Sequence, residues 1–234
     1  MLRAGLIALA ALAAAPAVQA QAVIASATYD DPTTRYPHAV LGDAIEYGSL
    51  VLTMEDGEVR RVILPQERVF EDLEPRLHDM DGDGAPEVIT VESHNRYGAR
   101  LVIYGPEGEI AATPPIGTAF RWLAPVGVAD FDGDGAMDVA YVDRPHLAKT
   151  LRIWTFRDGE LLQIAEQPGL TNHRIGAPYI EGGVSTCGDT PAMYLADASW
   201  RQIVRVTWAP GRLLLEPQGP YEGRESLDAA LGCS

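Results

Sequence analysis

Two acidic stretches contain the side chains of this sequence best suited to a chemical role. DMDGDGAPE at 79–87 and DFDGDGAMD at 130–138 each place four carboxylates within nine residues. Like charges at this spacing repel one another, so a folded loop can hold them only when something neutralises them. Because the spacing occurs twice, we predict that both loops bind a cation and are not unrelated acidic turns.

The spacing also predicts the ligands. In the pattern Asp-x-Asp-x-Asp-Gly-x-x-Asp/Glu, alternate carboxylates converge when the loop curls at the glycine in position 6. A carbonyl at position 7 and the acid at position 9 complete an all-oxygen shell, which suits Ca²⁺ better than Mg²⁺ or zinc. We therefore expect two Ca²⁺ ions, one held by Asp79, Asp81, Asp83, Ala85 and Glu87 and the other by Asp130, Asp132, Asp134, Ala136 and Asp138.

An EF-hand is the alternative to be tested, because the first six residues of each loop fit one. An EF-hand needs an acid at position 12 and a following helix. Position 12 is Thr90 in one loop and Tyr141 in the other, and the segments EVITV and DVAYV are typical of strands. The EF-hand interpretation fails on both counts.

The elements that must position these loops repeat along the chain. Four hairpin turns contain a glycine between β-prone runs, at a spacing of about 51 residues: Gly57, Gly108, Gly159 and Gly211. Sustained helical periodicity is missing from the sequence between 23 and 220. The repeating unit is therefore four antiparallel strands in about 51 residues.

Units of this length and strand number are typical of the blades of a β-propeller, which protects its sheet edges by radial repetition. We predict an all-β fold, a propeller of four blades with four antiparallel strands each, over 21–220. The predicted blades are 22–70, 74–118, 122–170 and 175–220. The alternative is an open ring that pairs with another chain.

The segments DMDGDGAPEV and DFDGDGAMDV resemble the calcium loops of FG-GAP repeats, also called VCBS repeats, found in integrin α-subunit propellers and many exported bacterial proteins. The resemblance covers the second and third predicted blades and implies a β-propeller with Ca²⁺ in loops on one face. It does not supply the number of blades, since integrin propellers have seven. In the first blade the aligned positions 3, 5 and 9 are Pro32, Thr34 and His38, so we expect no calcium there.

The first residues, MLRAGLIALAALAAAPAVQA, combine a positive start, a short apolar run and a small-residue cleavage signal at Ala20. They predict a signal peptide over 1–20 and a periplasmic or secreted protein, with a buried N-terminal helix as the alternative. No later stretch is apolar enough to span a bilayer, so we do not expect a membrane-spanning protein. The net charge of −15 disfavours nucleic acid as a partner and is compatible with cations.

The chain has two cysteines, Cys187 and Cys233. In an exported protein an isolated pair most simply forms one disulfide, and two separate thiols are the alternative. Cys187 lies in the turn of the fourth blade that lacks calcium acids, and Cys233 ends the tail 221–234. We predict that the bond holds this tail, in which SLDAAL can form a short helical turn.

No nucleophile elbow and no phosphate-binding glycine loop is recognisable, so we expect no catalytic residues and no enzyme. The turns between second and third strands lie opposite the calcium loops and gather aromatic, basic and histidine side chains, as a recognition surface does. The alternative is that they pack the blades or are simply solvated. The predicted ligand-binding residues are Tyr47, His94, Arg96, Tyr97, Arg144, His146, Trp200 and Arg201.

The function that follows is an exported calcium-binding propeller that acts as a non-enzymatic binding, adhesion or scaffold module for an unknown protein or glycan ligand. We expect it to be a monomer. The alternatives are a lectin-like carbohydrate binder and a carbohydrate-active hydrolase that uses the acids and histidines of the rim. The sequence does not name the ligand.

Overall fold

The computed structural model describes residues 22–188 and 190–232, and these residues form an all-β fold with one short helix. The all-β prediction is therefore confirmed. The predicted leader and Cys233 lie outside the described residues. The helix of the described part is not long and apolar enough to cross a membrane.

The first two repeats share one antiparallel sheet of eight strands, with the order β1-β2-β4-β6-β7-β8, β3 on β2 and β5 on β6. The short strand β4 joins the repeats, because Phe70 pairs with Tyr47 of β2 and Arg68 with His94 of β6. The bounds of these strands are β1 Ile24–Thr33, β2 Glu46–Met54, β3 Val59–Ile63, β4 Arg68–Phe70, β5 Arg76–His78, β6 Glu87–His94, β7 Gly98–Gly105 and β8 Gly108–Ala112.

The third and fourth repeats each form a separate antiparallel sheet. The third has the order β9-β10-β11-β12, and the fourth has β13-β15-β16-β17 with β14 on β15. The bounds are β9 Leu123–Ala129, β10 Asp138–Asp143, β11 Thr150–Arg157, β12 Glu160–Pro168, β13 Leu170–Thr171, β14 Gly183–Ser185, β15 Ala192–Asp197, β16 Gln202–Ala209 and β17 Arg212–Pro220. The helix α1, Arg224–Leu231, follows in the tail and buries Leu227, as the segment SLDAAL predicted.

The first repeat differs from the predicted four-stranded unit. The segment HAVLGD at 38–43, which occupies the place of the second strand in the repeating unit, is irregular, and β1 pairs directly with β2. Pro37 has no N–H to donate to a ladder, and Ala39 and Gly42 have positive φ of 54° and 105°. Tyr36 and Val40 are instead buried. In this segment, burial of these two side chains therefore takes the place of pairing with a neighbouring strand.

Closure of the strands into a four-bladed ring is not confirmed, since no strand pairing among the described residues links the first sheet to the third. The first and fourth repeats meet through irregular segments, where the N–H of Gly176 donates to the carbonyl of Val40 at 2.9 Å. Val40 and Ile180 both pack into the apolar cluster between the second and third repeats. Loops from the outer repeats thus reach the centre of the molecule.

Apolar clusters between consecutive repeats hold the sheets together. Leu101 and Trp122 are buried between the second and third repeats, and Leu151 and Leu195 between the third and fourth. The central strands β6 and β10 are buried along almost their whole length. Each central strand therefore fixes one acidic loop at its start and one turn at its end, on opposite faces of the molecule.

Candidate metal loops and the opposite face

The first acidic loop connects β5 to β6 and folds around its own carboxylates. Asp79 accepts hydrogen bonds from the N–H groups of Gly82 at 2.8 Å and Gly84 at 3.0 Å. Both glycines have positive φ, of 78° and 90°, which side-chain-bearing residues adopt at a cost. The backbone N–H groups that point inward fix the curl that brings the acids together.

Three carboxylates of this loop converge. Asp79, Asp81 and Asp83 each offer an oxygen within 4.8 Å of the other two. Glu87, at the start of β6, is buried and accepts a hydrogen bond from the N–H of Met80 at 2.8 Å. Burial raises the pKa of Glu87, and the negative charges of the three aspartates raise it further. A cation at the cluster would offset this repulsion.

The second acidic loop, between β9 and β10, repeats this construction. Asp130 accepts hydrogen bonds from the N–H groups of Gly133 at 2.8 Å and Gly135 at 3.0 Å. Its converging acids are Asp130, Asp132 and Asp138, within 4.8 Å of one another. Asp134 instead forms an ion pair with Arg157 at 2.5 Å. The two loops therefore share a backbone design and differ in which acids converge.

Asp138 differs from the other acids of the second loop in its burial and hydrogen bonding. It is 0% exposed, and its Oδ2 accepts a hydrogen bond from the N–H of Phe131 at 2.9 Å. Its Oδ1 meets no donor at full hydrogen-bond geometry in the described residues, although the Thr155 hydroxyl is close enough to lower the pKa of Asp138. Burial raises the pKa of Asp138 to about 6, and the charges of Asp132 and Asp130 add to the increase. A buried oxygen without a full hydrogen bond is costly, and a bound cation would satisfy it.

The donor set fits a hard cation. The converging atoms are carboxylate oxygens on flexible loops, which suits Ca²⁺. Strands follow both loops where an EF-hand would have a helix. Six of the eight predicted carboxylates converge in the two clusters. Glu87 is buried and accepts the Met80 N–H, and Asp134 pairs with Arg157. The roles of the Ala85 and Ala136 carbonyls stay predictions.

The predicted ligand-binding residues lie at the other ends of the central strands and fall into three groups. His94 and Tyr97 line a pocket of about 110 Å³ with Arg68 and Arg100, and Arg96 lies over the Tyr97 ring. Arg144 and His146 line a second pocket of about 180 Å³ with His38, Phe120 and Trp122. Trp200 and Arg201 form the third group, in which Arg174 covers the Trp200 ring at 4.0 Å. Tyr47 lies apart in β2, against Tyr29.

Two buried polar pairs support the second pocket. Nδ1 of His38 lies 2.6 Å from the carboxylate of Glu71, which is fully buried and also hydrogen-bonds Ser93. Nε2 of His146 lies 2.9 Å from Nδ1 of His173. Burial lowers the pKa of His146 to about 4, and the neighbouring His173 lowers it further, so that His146 is neutral at physiological pH.

The contributions of His38, Glu71 and Phe120 to this pocket were missed in the sequence, because they depend on long-range contacts. Phe120 has a positive φ of 53°, and its N–H donates to the hydroxyl of Tyr36, which is 84 residues away in the chain. Trp122 is a packing residue: it is buried, and its indole N–H donates to the carbonyl of Glu71 at 2.8 Å. Of these features, only the aromatic character of Phe120 is visible in the sequence.

Comparison with known families bears on both acidic loops. Residues 79–141 match the model of the FG-GAP-like repeat. The match begins at the first carboxylate of the first loop and includes the whole second loop. No curated protein matches the chain. The resemblance that the two loops suggested is thus confirmed as a match to the FG-GAP-like repeat over residues 79–141.

Proposed function

We propose that the protein is an exported, calcium-binding, β-propeller-like module that binds a ligand and catalyses no reaction. The observation that carries the proposal is the pair of converging carboxylate clusters within the FG-GAP-like repeat segment. The buried Oδ1 of Asp138 supports a cation in the second loop. The residues proposed to hold the two ions are the carboxylates of the two loops, with Ala85 and Ala136 contributing carbonyl oxygens.

Calcium would act on the structure and not on a substrate. Each ion would neutralise acids whose mutual repulsion otherwise opposes the loop conformation. Because the loops end in the buried strands β6 and β10, a bound ion stabilises the core as well as the surface. The opposite face, with its pockets and aromatic side chains, is the proposed ligand-binding side.

Thermal unfolding tests the calcium proposal. Millimolar CaCl₂ should raise the melting temperature relative to EDTA, since a ligand that binds only the folded state stabilises it. A matched concentration of MgCl₂ should have a smaller effect, because Mg²⁺ gives up its waters reluctantly. Equal melting temperatures in CaCl₂ and EDTA would contradict the proposal.

Sequencing of the exported protein's N-terminus tests the cleavage proposed after Ala20.

A hydrolytic enzyme is the second candidate, and the His38–Glu71 pair favours it. A histidine oriented by a buried carboxylate at 2.6 Å is an arrangement that general bases use. Release of reducing ends from a polysaccharide by the wild-type protein, lost in His38→Ala, would establish this alternative. Ligand binding without product release would favour the binding module.

Size-exclusion chromatography tests the proposal that the protein is a monomer.

A further inference from the structure

The face opposite the acidic loops carries basic side chains that form no ion pair with any carboxylate in the part of the chain that the structure describes. Eleven basic or histidine side chains form ion pairs within the described residues, although the chain has 33 acids. Five side chains of the turns and connections on this face are not among them: Arg96, Arg121, Lys149, Arg174 and Arg201. We call these five residues the basic face.

The chain segments that carry the basic face contact one another in space, each with the segment of the next repeat. The N–H of Ala99 donates to the carbonyl of Arg121, and the N–H of Arg144 to that of Trp122. The Lys149 ammonium donates to the carbonyl of Ala198 at 2.6 Å. With Arg174 lying over Trp200, these contacts connect the segments that carry the basic face from the second to the fourth repeat.

Aromatic side chains accompany three of the cations. The Arg96 guanidinium lies 5.5 Å from the centre of the Tyr97 ring, and the Arg174 guanidinium lies 4.0 Å from that of Trp200. Arg121 donates a hydrogen bond to the carbonyl of Phe120, its neighbour in the chain. Tyr97 is 45% exposed and Phe120 43% exposed. The Phe120 ring stacks on Tyr36 and the Tyr97 ring lies against His94, so each ring offers only its remaining surface to a ligand.

Backbone strain accompanies two of these aromatic rings. Phe120 and Trp200 have positive φ of 53° and 57°, a conformation that costs a bulky L-residue free energy. Such strain persists only where the surrounding structure enforces it, and it concentrates at functional sites. The rings are therefore held on this face at a cost in stability.

We propose that the basic face binds an acidic polysaccharide whose charges are carboxylates. Guanidinium groups bind carboxylates through paired, charge-assisted hydrogen bonds, and exposed aromatic rings offer flat apolar surfaces to sugar rings. The net charge of −15 opposes every polyanion alike, so recognition of the sugar has to come from the local guanidinium groups and aromatic rings of this face. This inference rests on the proposed binding function and names the ligand class and the face.

Calorimetric titration of the calcium-loaded full chain with two probes, hyaluronan and galacturonate tetrasaccharides, tests the inference. At least one should bind, with an affinity that falls several-fold between 50 and 200 mM NaCl, and dextran should not. Arg174→Ala and Arg96→Ala should each weaken binding at least fivefold. Tyr97→Phe should retain the affinity of the wild type and Tyr97→Ala should lose it, which separates the ring from its hydroxyl group.

Arg212→Ala is the matched control. Arg212 is also exposed and forms no ion pair with residues 22–188 or 190–232, but it begins β17 on the face of the acidic loops. This substitution removes one positive charge and should leave the affinity unchanged. An equal loss in Arg212→Ala and Arg174→Ala would show that only net charge matters and would overturn the inference.

Two further outcomes would also overturn it: binding of neither tetrasaccharide, or tighter binding of a thymidine oligonucleotide of equal charge. Calcium titration of the same preparation separates this failure from that of the proposed function. If calcium binds and the acidic sugars do not, the ligand class is wrong and the calcium-binding module stands. Variants should melt within about 2 °C of the wild type, since the side chains changed are at the surface.

Discussion

Single carboxylates determine how the two acidic loops differ. In the first loop Asp83 belongs to the converging cluster, whereas its counterpart Asp134 is paired with Arg157 and held out of the second. Asp138 takes the third place in the second cluster from a fully buried position. The arginine on the neighbouring hairpin therefore accompanies a difference in which acids converge, while the glycine N–H groups bond the first aspartate in both loops.

The calcium affinity of the two loops should therefore respond differently to matched substitutions. Asp83→Asn should weaken the first site at least tenfold, because it removes a converging charge. Asp134→Asn should weaken the second less than threefold, because Asp134 is engaged by Arg157. Calorimetry of both variants gives the comparison. Equal losses would mean that calcium displaces Arg157 and recruits Asp134.

A different buried acid should set a pH dependence of stability. Glu46 is buried, and burial first and then the charges of Glu71, Asp43 and Asp72 raise its pKa to about 9. The folded protein therefore keeps a proton that the unfolded chain loses above the ordinary pKa of 4.5. The free energy of unfolding should decrease as the pH rises from that value to about 9.

Glu46→Gln removes this titration and keeps a similar shape. The melting temperature of the variant should exceed that of the wild type at pH 8 and approach it at pH 5. Each kcal/mol added to the free energy of unfolding should raise the melting temperature by about 2–4 °C. Thermal unfolding at both pH values, in EDTA, makes the measurement independent of calcium. A constant difference between the two proteins at both pH values would contradict the assignment.

Among the larger elements, the turn between β6 and β7 depends on a glycine. Gly98 has φ of 71°, and a Cβ there would lie 2.3 Å from the carbonyl oxygen of Thr118. Backbone atoms are in the way, so the clash cannot be relieved by a rotamer change. This close approach is what brings the turn with Arg96 and Tyr97 against the connection with Arg121.

Gly98→Ala should therefore lower the melting temperature much more than a matched glycine change. Gly211 has a similar φ of 76° with nothing within 4 Å of an added Cβ, so Gly211→Ala carries only the conformational cost, about 1–2 kcal/mol. Differential scanning calorimetry of both variants measures the difference. If the two melt together, the close approach at Gly98 is not what fixes this turn.

The strands of the second to fourth repeats were predictable because local patterns determine them. Alternating apolar residues and hairpin glycines identify β6 to β8, and the same patterns identify β10 to β12 and β15 to β17. The prediction of four regular strands failed in the first repeat, because Tyr36 and Val40 are buried by segments that are distant in the chain. The acidic loops could also be predicted, since each spacing fits within nine residues, whereas the pocket with His38 and Phe120 depends on tertiary contacts.

Across the whole molecule, the two faces differ: one carries the carboxylate clusters, and the other carries the basic face together with paired acids such as Asp143 and Glu92. The acidic loops and the basic face lie at opposite ends of β6 and β10, and the irregular segments around Val40 and Gly176 connect the first and fourth repeats. The C-terminal helix packs beside the fourth repeat, where Leu227 lies close to Gly182. The tail is therefore positioned to fasten the last repeat.

Reduction should test how the tail is held. Sγ of Cys187 lies 3.8 Å from the carbonyl oxygen of Leu231, the last residue of α1. A disulfide enclosing a loop of this length stabilises by roughly 3–4 kcal/mol in the chain-entropy model, so reduction should lower the melting temperature by about 10 °C. Non-reducing peptide mapping should show the Cys187–Cys233 peptide pair. Two free thiols would refute the bond.

The stoichiometry of calcium binding is the most direct test of the account. Isothermal titration of the folded, metal-free chain with CaCl₂ should give two ions per molecule, and Asp81→Asn combined with Asp132→Asn should abolish both while the protein remains folded. The double variant loses one converging acid from each cluster and keeps an oxygen at both positions. No heat of binding at millimolar calcium, or two ions still bound by the double variant, would contradict the claim that these loops are calcium sites.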